Sequence, residues 1–514
     1  MVASFMSALD TTVVNVALPH MQGSLSASPE QVAWIITSYI VATAVIMPLS
    51  GWLAARLGVK RLLLFCVAGF TLSSFLCGVA GSLPEMVACR LLQGVLAAPL
   101  WPLAQAVLLN INPPERASRA MALFSMSTVA APVVGPIVGG YLTEELSWRW
   151  CFYINLPTGV AALFLLWWFL PREATQRPRF DFLGYGALAI TVASFQLLLD
   201  RGPSLDWFQS REICCEAMLA AGGLWVYLVH TLTTDHPLFS PALARDRNFV
   251  ASTVFGIGYN LVLYCSFFML PLIMQEVMGY SVIHSGLLST PRGVIVIVIL
   301  QLMGRVDALV DRRLLVAVGL AILVAAFWMM SKFDLSMTGK EIVWATALQG
   351  VGQAIIAVPI ATLGFATIQP ALRAEASAIS NLLRSLGGSA GVAIMQALTS
   401  YNTQSMHASL GAQIRLENPV VRAGLPDFLW PGTSSGALAL NAFISRQATM
   451  VAYVDDFRLM ALTALLCAPL ILLLRSRPAA APRVAGAASR PHPGRDGAGA
   501  RQARPAEAVS HDLV

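Results

Sequence analysis

Apolar runs of roughly twenty residues, each closed by a short polar or basic turn, recur along nearly the whole chain, and that length lets an α-helix cross the ~30 Å hydrocarbon core of a bilayer. The pattern predicts helices over Met1 to Met21, Gln31 to Ala55, Leu62 to Gly81, Met86 to Asn110, Ala117 to Leu142 and Trp150 to Leu170. Two further runs, Phe182 to Leu199 and Ile213 to Leu232, precede a second set over Phe249 to Met278, Ser285 to Gly304, Leu314 to Met330, Ile342 to Ile368, Ala374 to Thr399 and Phe457 to Leu474. Six plus two plus six predicts an all-α integral membrane protein of about 14 transmembrane helices. The expected organisation is an N-terminal six-helix bundle over 1–171, an extra two-helix insert with linkers over 172–246, and a C-terminal six-helix bundle over 247–475 that includes an external loop at 400–456. Residues 476–514, rich in Ala, Pro, Gly and Arg, read as a disordered cytoplasmic tail.

Every second turn is basic: Arg56, Lys60 and Arg61; Arg116 and Arg119; Arg172, Arg177 and Arg179; Arg245 and Arg247; Arg305, Arg312 and Arg313; then Arg373. Basic turns are retained in the cytoplasm, so both termini are predicted there. Composition agrees with a polytopic membrane protein: 57% hydrophobic and 12% charged residues over 514, with mean hydropathy +0.69. The net charge of +6 lies in turns without interleaved stacking aromatics, which excludes a nucleic-acid partner. No Gly-x-x-x-x-Gly-Lys-Ser/Thr cradle is present, nor a nucleophile elbow, nor a zinc spacing among the seven histidines. The chain therefore reads as neither an ATPase nor a membrane enzyme, and it needs no cofactor; an ion gradient must supply the energy. The eight cysteines lie in or beside apolar runs and read as small core residues.

Within the first run, Asp10 is flanked by Thr11, Thr12 and Asn15. A carboxylate at bilayer depth is costly and commonly marks an ion or proton path, because desolvation favours its neutral form and a change of surroundings can then load and release a proton. The alternative is a polar knot that fixes helix packing. Arg90 either faces a hydrated space and tunes an acid or snorkels to the headgroups. Substrate-cavity candidates are Asn15, Gln93, Trp34, Asn260, Tyr264 and Arg384. Glu276 and Arg292 suggest an external ion pair or interfacial placement. In the fifth run Ala131, Gly135 and Gly139 recur every four residues beside Pro132 and Pro136, suiting close approach and bending.

Five motifs carry a resemblance. Leu9-Asp10-Thr11-Thr12-Val13-Val14-Asn15-Val16-Ala17-Leu18-Pro19 resembles the first-helix signature of drug:proton antiporters of the major facilitator superfamily, in the fourteen-span branch of EmrB- and QacA-like transporters. Gly51 to Arg61 resembles that superfamily's loop between helices two and three, Arg90-Leu91-Leu92-Gln93-Gly94 its fourth-helix motif, and Gly135-Pro136-Ile137-Val138-Gly139-Gly140 its helix-five antiporter motif. Trp148 to Pro157 is similar to the entry of helix six, and Leu199-Asp200-Arg201-Gly202 continues the likeness into the extra helices. The resemblance implies a proton-coupled multidrug efflux antiporter in a bacterial inner membrane, exporting hydrophobic or amphipathic compounds by alternating access. In that scheme Asp10 carries the proton, Arg90 orients it, and Gly135, Pro136, Gly139 and Gly140 form a seam between the halves. Gly51, Arg56, Gly58, Lys60 and Arg61 would gate one half, and Gly304, Arg305, Asp311 and Arg312 the other. Ala55 replaces the usual acid of the first gating loop, which loses its acid-based latch. The resemblance also implies a periplasmic membrane-fusion adaptor and an outer-membrane channel as partners. A proton-coupled symporter or uniporter of a polar solute, and a non-transporting sensor, remain open alternatives.

Overall fold

The fold, seen in a computed structural model, is described for residues 1–475 apart from 172–174, 176–178, 308, 415–425, 427, 428 and 432. Arg172, Arg177 and the expected tail at 476–514 lie outside the described residues. The helical spans are α1 (Val2–Ser24), α2 (Glu30–Leu57), α3 (Val59–Val79), α4 (Leu83–Ile111), α5 (Arg116–Glu145), α6 (Trp150–Phe169), α7 (Phe182–Ser204), α8 (Arg211–Thr233), α9 (Arg247–Val277), α10 (His284–Val306), α11 (Arg312–Met330), α12 (Gly339–Phe365), α13 (Arg373–Gln413) and α14 (Ser434–Leu473). Thirteen are apolar enough to cross a membrane by composition alone. The exception is α13, whose first turns carry Arg373, Glu375, Asn381 and Arg384. It packs against α9, α14 and α4; α4 supplies partners for Arg373 and Asn381, and the Ser240 amide donates to Glu375.

One expected boundary is corrected. The segment 400–456, read as an external loop, is helical over most of its described length, since α13 runs to Gln413 and α14 begins at Ser434. At 41 residues α13 is about 60 Å long at ~1.5 Å per residue, twice the hydrocarbon thickness, so its polar end projects beyond the apolar layer. Polarity there marks departure from lipid rather than loss of helix. The projecting ends are pinned by a small core of Leu429, Leu440 and Ile444 with Leu410 and Ile414.

Helices α1 to α6 share a core built on Met6, Phe70, Leu100 and Phe152, and α9 to α14 one built on Phe255, Phe327, Phe457 and Met460. The two sets meet where α5 lies along α10 and α12, and where the second half of α4 lies along α13. The extra helices α7 and α8 pack on each other, and α7 touches both α2 and α13. Its Asp200 accepts a hydrogen bond from the Thr37 hydroxyl of α2, and its Gln196 donates to Ser389 of α13 at 3.2 Å.

Gly58 joins α2 to α3 without an intervening loop, at φ +82°. An L side chain rarely adopts that conformation, so Gly58→Ala is expected to lower stability by about 1 kcal/mol or more, read as a reduced unfolding temperature of the purified protein.

Candidate functional site

Five helices of the first half converge on Asp10, which is fully buried. Arg90 of α4 donates from Nη1 to Asp10 Oδ2 at 2.7 Å, and Gln93, one turn further on, donates from Nε2 to Oδ1 at 3.0 Å. Asn155 of α6 donates from Nδ2 to the same Oδ1 at 2.7 Å and to Ser74 Oγ of α3 at 3.0 Å. The Arg90 guanidinium is itself satisfied: Nη1 also reaches Gln93 Oε1 at 2.7 Å, and Nε donates to the Ile35 carbonyl of α2 at 3.1 Å. Its carbon lies 4.2 Å from the Tyr39 ring centroid, a cation–π contact that gains strength where water is excluded.

The chemistry of this cluster follows from its donors. A guanidinium and two amide NH2 groups can only donate, so Asp10 accepts at both oxygens in this conformation. Snorkelling is excluded for Arg90, only 1% of which is exposed. Thr11 and Thr12 are not the groups that satisfy Asp10. Their hydroxyls return to carbonyls of their own helix, Ser7 for Thr11 and Leu9 for Thr12. Asn15 is exposed and stands apart from the cluster. Asn155 was not singled out in the sequence, though a buried amide opening an apolar run was the available signal.

The six cavity candidates do not gather at one place. Gln93 belongs to the Asp10 cluster. Trp34 is half-exposed near Arg201, whose guanidinium carbon lies 5.6 Å from its ring. Asn260 donates to the Gly256 carbonyl at 2.8 Å, and Arg384 packs on Gly256 with its buried Nε unpartnered. Tyr264 lies against Gly388. Arg292 is buried and, among the described residues, forms no ion pair with Glu276 or any other acid.

The helix-five motif faces differently than expected. Gly135 packs on Thr12 and Gly139 on Val13, whose Cα a methyl group on Gly139 would approach to 3.2 Å. That face, with buried Ala131, seals α5 to α1 inside the first half. Pro136 is exposed and Gly140 has open space beside it. The face turned to the second half is another one, where Val133 fills the space left by Gly293 of α10; helical periodicity puts residues 131, 135 and 139 on one stripe and 133 off it. Gly135→Val is therefore expected to separate α1 from α5 and displace Asp10, giving a drop in unfolding temperature and loss of transport together.

Contacts between the halves cluster at the end that carries the basic turns. Arg373 of α13 donates from Nη1 to the Leu109 carbonyl at 2.7 Å and to Asn110 Oδ1 at 3.0 Å. Gln105 Oε1 of α4 accepts from Ser377 Oγ at 2.6 Å and from Asn381 Nδ2 at 2.9 Å. Asp307 follows the α10 terminus. It takes a hydrogen bond from the Ser118 hydroxyl of α5 and one from Arg312 Nε at 3.0 Å, while Arg312 Nη2 reaches Ser118 Oγ at 3.3 Å. The acid that crosses halves is thus Asp307, whereas Asp311 caps α11 through the Arg313 amide at 2.9 Å. Gly304 sits 3.3 Å, measured from an ideal Cβ, from the Arg119 Cα, and Arg305 is exposed. In the first gating loop Arg56 lies over Trp52, Lys60 donates to the Trp167 carbonyl at 2.7 Å and Arg61 is exposed. Its contact with the second half runs instead through Gly51, where the Glu375 Cα would be 2.9 Å from an added Cβ.

Two helical halves that meet through polar contacts at one end, with a charged pair sealed inside one of them, fit a membrane transporter built from two bundles. The chain belongs to the Major Facilitator Superfamily, whose sequence pattern matches residues 1–392. It is 37% identical over 425 residues to the multidrug export protein EmrB of Escherichia coli K12, covering 82% of this chain and 83% of that one. It is 33% identical over 478 residues to the fatty acid resistance protein FarB of Neisseria gonorrhoeae, covering 92% and 94%. Among solved structures, the human organic anion transporter MFSD10 superimposes with a TM-score of 0.58 at 14% identity, over 90% of this chain and 98% of that one, which shows the shared fold alone.

Proposed function

We propose that the protein is a proton-coupled multidrug exporter that moves hydrophobic or amphipathic compounds outward across a bacterial inner membrane, with both termini in the cytoplasm. The observation that carries this reading is the sealed Asp10–Arg90 pair with Gln93 and Asn155. A proton arriving at Asp10 removes the charge that holds Arg90, so the cluster must rearrange; a transport cycle needs such a link between protonation and helix position. Asn155 Oδ1 is buried without a donor. A half-turn of that amide would offer this oxygen to a protonated Asp10, a ready acceptor for the second state. Similarity to proteins named for multidrug export supports the cargo class. The basic turns at the closed end support a cytoplasmic placement of that end. The proton gradient is the energy source, without a cofactor. The projecting ends of α13 and α14 are the surface on which a periplasmic adaptor leading to an outer-membrane channel would dock.

The test is reconstitution with an imposed inward proton gradient, following a lipophilic cation or uncoupler together with internal pH. Opposed fluxes are expected. Inward movement of both would indicate symport, and no flux of either a non-transporting membrane protein.

A further inference from the structure

The second half buries a cation that no acid balances among the described residues. Arg292 of α10 is 8% exposed, and its guanidinium carbon lies 3.9 Å from the Phe267 ring centroid of α9. Its one hydrogen bond among the described residues runs from Nη1 to Gln349 Oε1 of α12, at 3.4 Å. That same oxygen accepts from Ser266 Oγ at 3.2 Å, while Gln349 Nε2 is buried with no partner among the described residues. Two donors from two helices thus share one amide oxygen, and the other end of that amide is an unused donor. The contrast with Arg90 is direct, since that guanidinium finds a carboxylate, an amide oxygen and a carbonyl.

An unpaired guanidinium and an orphaned amide N–H in a low-dielectric interior are each costly, and an anion supplies what both lack. Stacking on Phe267 occupies the face of the guanidinium and leaves its edge N–H fork free, the geometry that takes a carboxylate by two parallel hydrogen bonds. Arg292 stands ten residues into a helix that begins at Val282, about 15 Å along the axis. That is half the hydrocarbon thickness, too deep for a lipid headgroup held at the interface.

We propose that Arg292, Gln349 and Ser266 form an anion subsite that receives the carboxylate of an amphipathic cargo. The subsite rests on the exporter reading, and it makes the protein prefer lipophilic acids over neutral molecules of the same shape. Gln349 turns its free N–H to the second carboxylate oxygen, and Arg292 neutralises the charge.

The test uses the purified full chain in nanodiscs and two fluorescent probes, a long-chain conjugated polyene carboxylic acid and its methyl ester. The intact protein is expected to bind the acid roughly tenfold or more tightly than the ester, the range of a charge-assisted hydrogen-bond pair. Arg292→Gln should bring the acid down to the ester's affinity and leave ester binding unchanged, which also reports that the variant is folded. Arg292→Lys should recover part of the preference, and Gln349→Met should lose about threefold for the acid alone. Equal affinity of the intact chain for acid and ester overturns the proposal, as does an Arg292→Gln protein that weakens both equally. A second arm compares phosphatidylcholine nanodiscs with ones containing phosphatidylglycerol. Unchanged acid binding supports a cargo subsite, whereas suppression by the anionic lipid, absent in Arg292→Gln, would assign the site to a lipid phosphate and overturn the cargo reading. No proton gradient is imposed in either arm, so loss of antiport and loss of anion preference are read independently.

Discussion

Asp10→Asn abolishes proton-driven exchange in reconstituted vesicles, as the expected result, while exchange of cargo down its own gradient persists. The substitution keeps the size of the side chain and removes its capacity to carry a proton. It also places an NH2 where Asp10 accepts only, against either Arg90 or the amides of Gln93 and Asn155. Leaving one buried donor without an acceptor costs about 1–3 kcal/mol, so a measurable drop in unfolding temperature accompanies the loss of coupling. Internal pH and cargo are measured in the same vesicles. Full coupled pumping by the amide variant would remove Asp10 from the mechanism.

The largest loss of stability is expected from Arg90→Leu, about 3–5 kcal/mol, because it strands a buried carboxylate that now has only two amides for partners. Combining it with Asp10→Asn removes the stranded charge, and the double variant should recover a large part of the unfolding temperature without recovering transport. That pattern separates charge balance from packing. Additive losses in the double variant would show that Arg90 acts through its contacts with Ile35 and Tyr39 rather than through Asp10.

Hydrophobic length carried most of the fold, because a bilayer demands long apolar helices and allows little else. It failed at α13 and α14, where the helices leave the apolar layer and polar composition no longer separates helix from loop. Asp10 and Arg90 were legible because a charge in an apolar run has few innocent explanations. Their mutual contact, across 80 positions of sequence, was not. Asn155 and Gln105 were hidden because one neutral amide in an apolar run is common and its meaning depends on what it faces. The helix-five glycines were correctly read as a close-approach stripe, but a stripe does not name its neighbour, and the neighbour is α1. Asp307 and Asp311 look alike in sequence; only the direction in which α10 ends decides that the first meets Ser118 and the second caps a helix.

The placement of α7 has a mechanical cost for one flank. Through Thr37 and Ser389 it stitches α2 to α13 near the end opposite the basic turns. Parting the halves there must either tear one of those hydrogen bonds, at about 1 kcal/mol each, or drag the α7–α8 pair along as ballast. At that end the flank formed by α5 and α10 bears no such stitch among the described residues, so a separation of the halves there would cost least on that side.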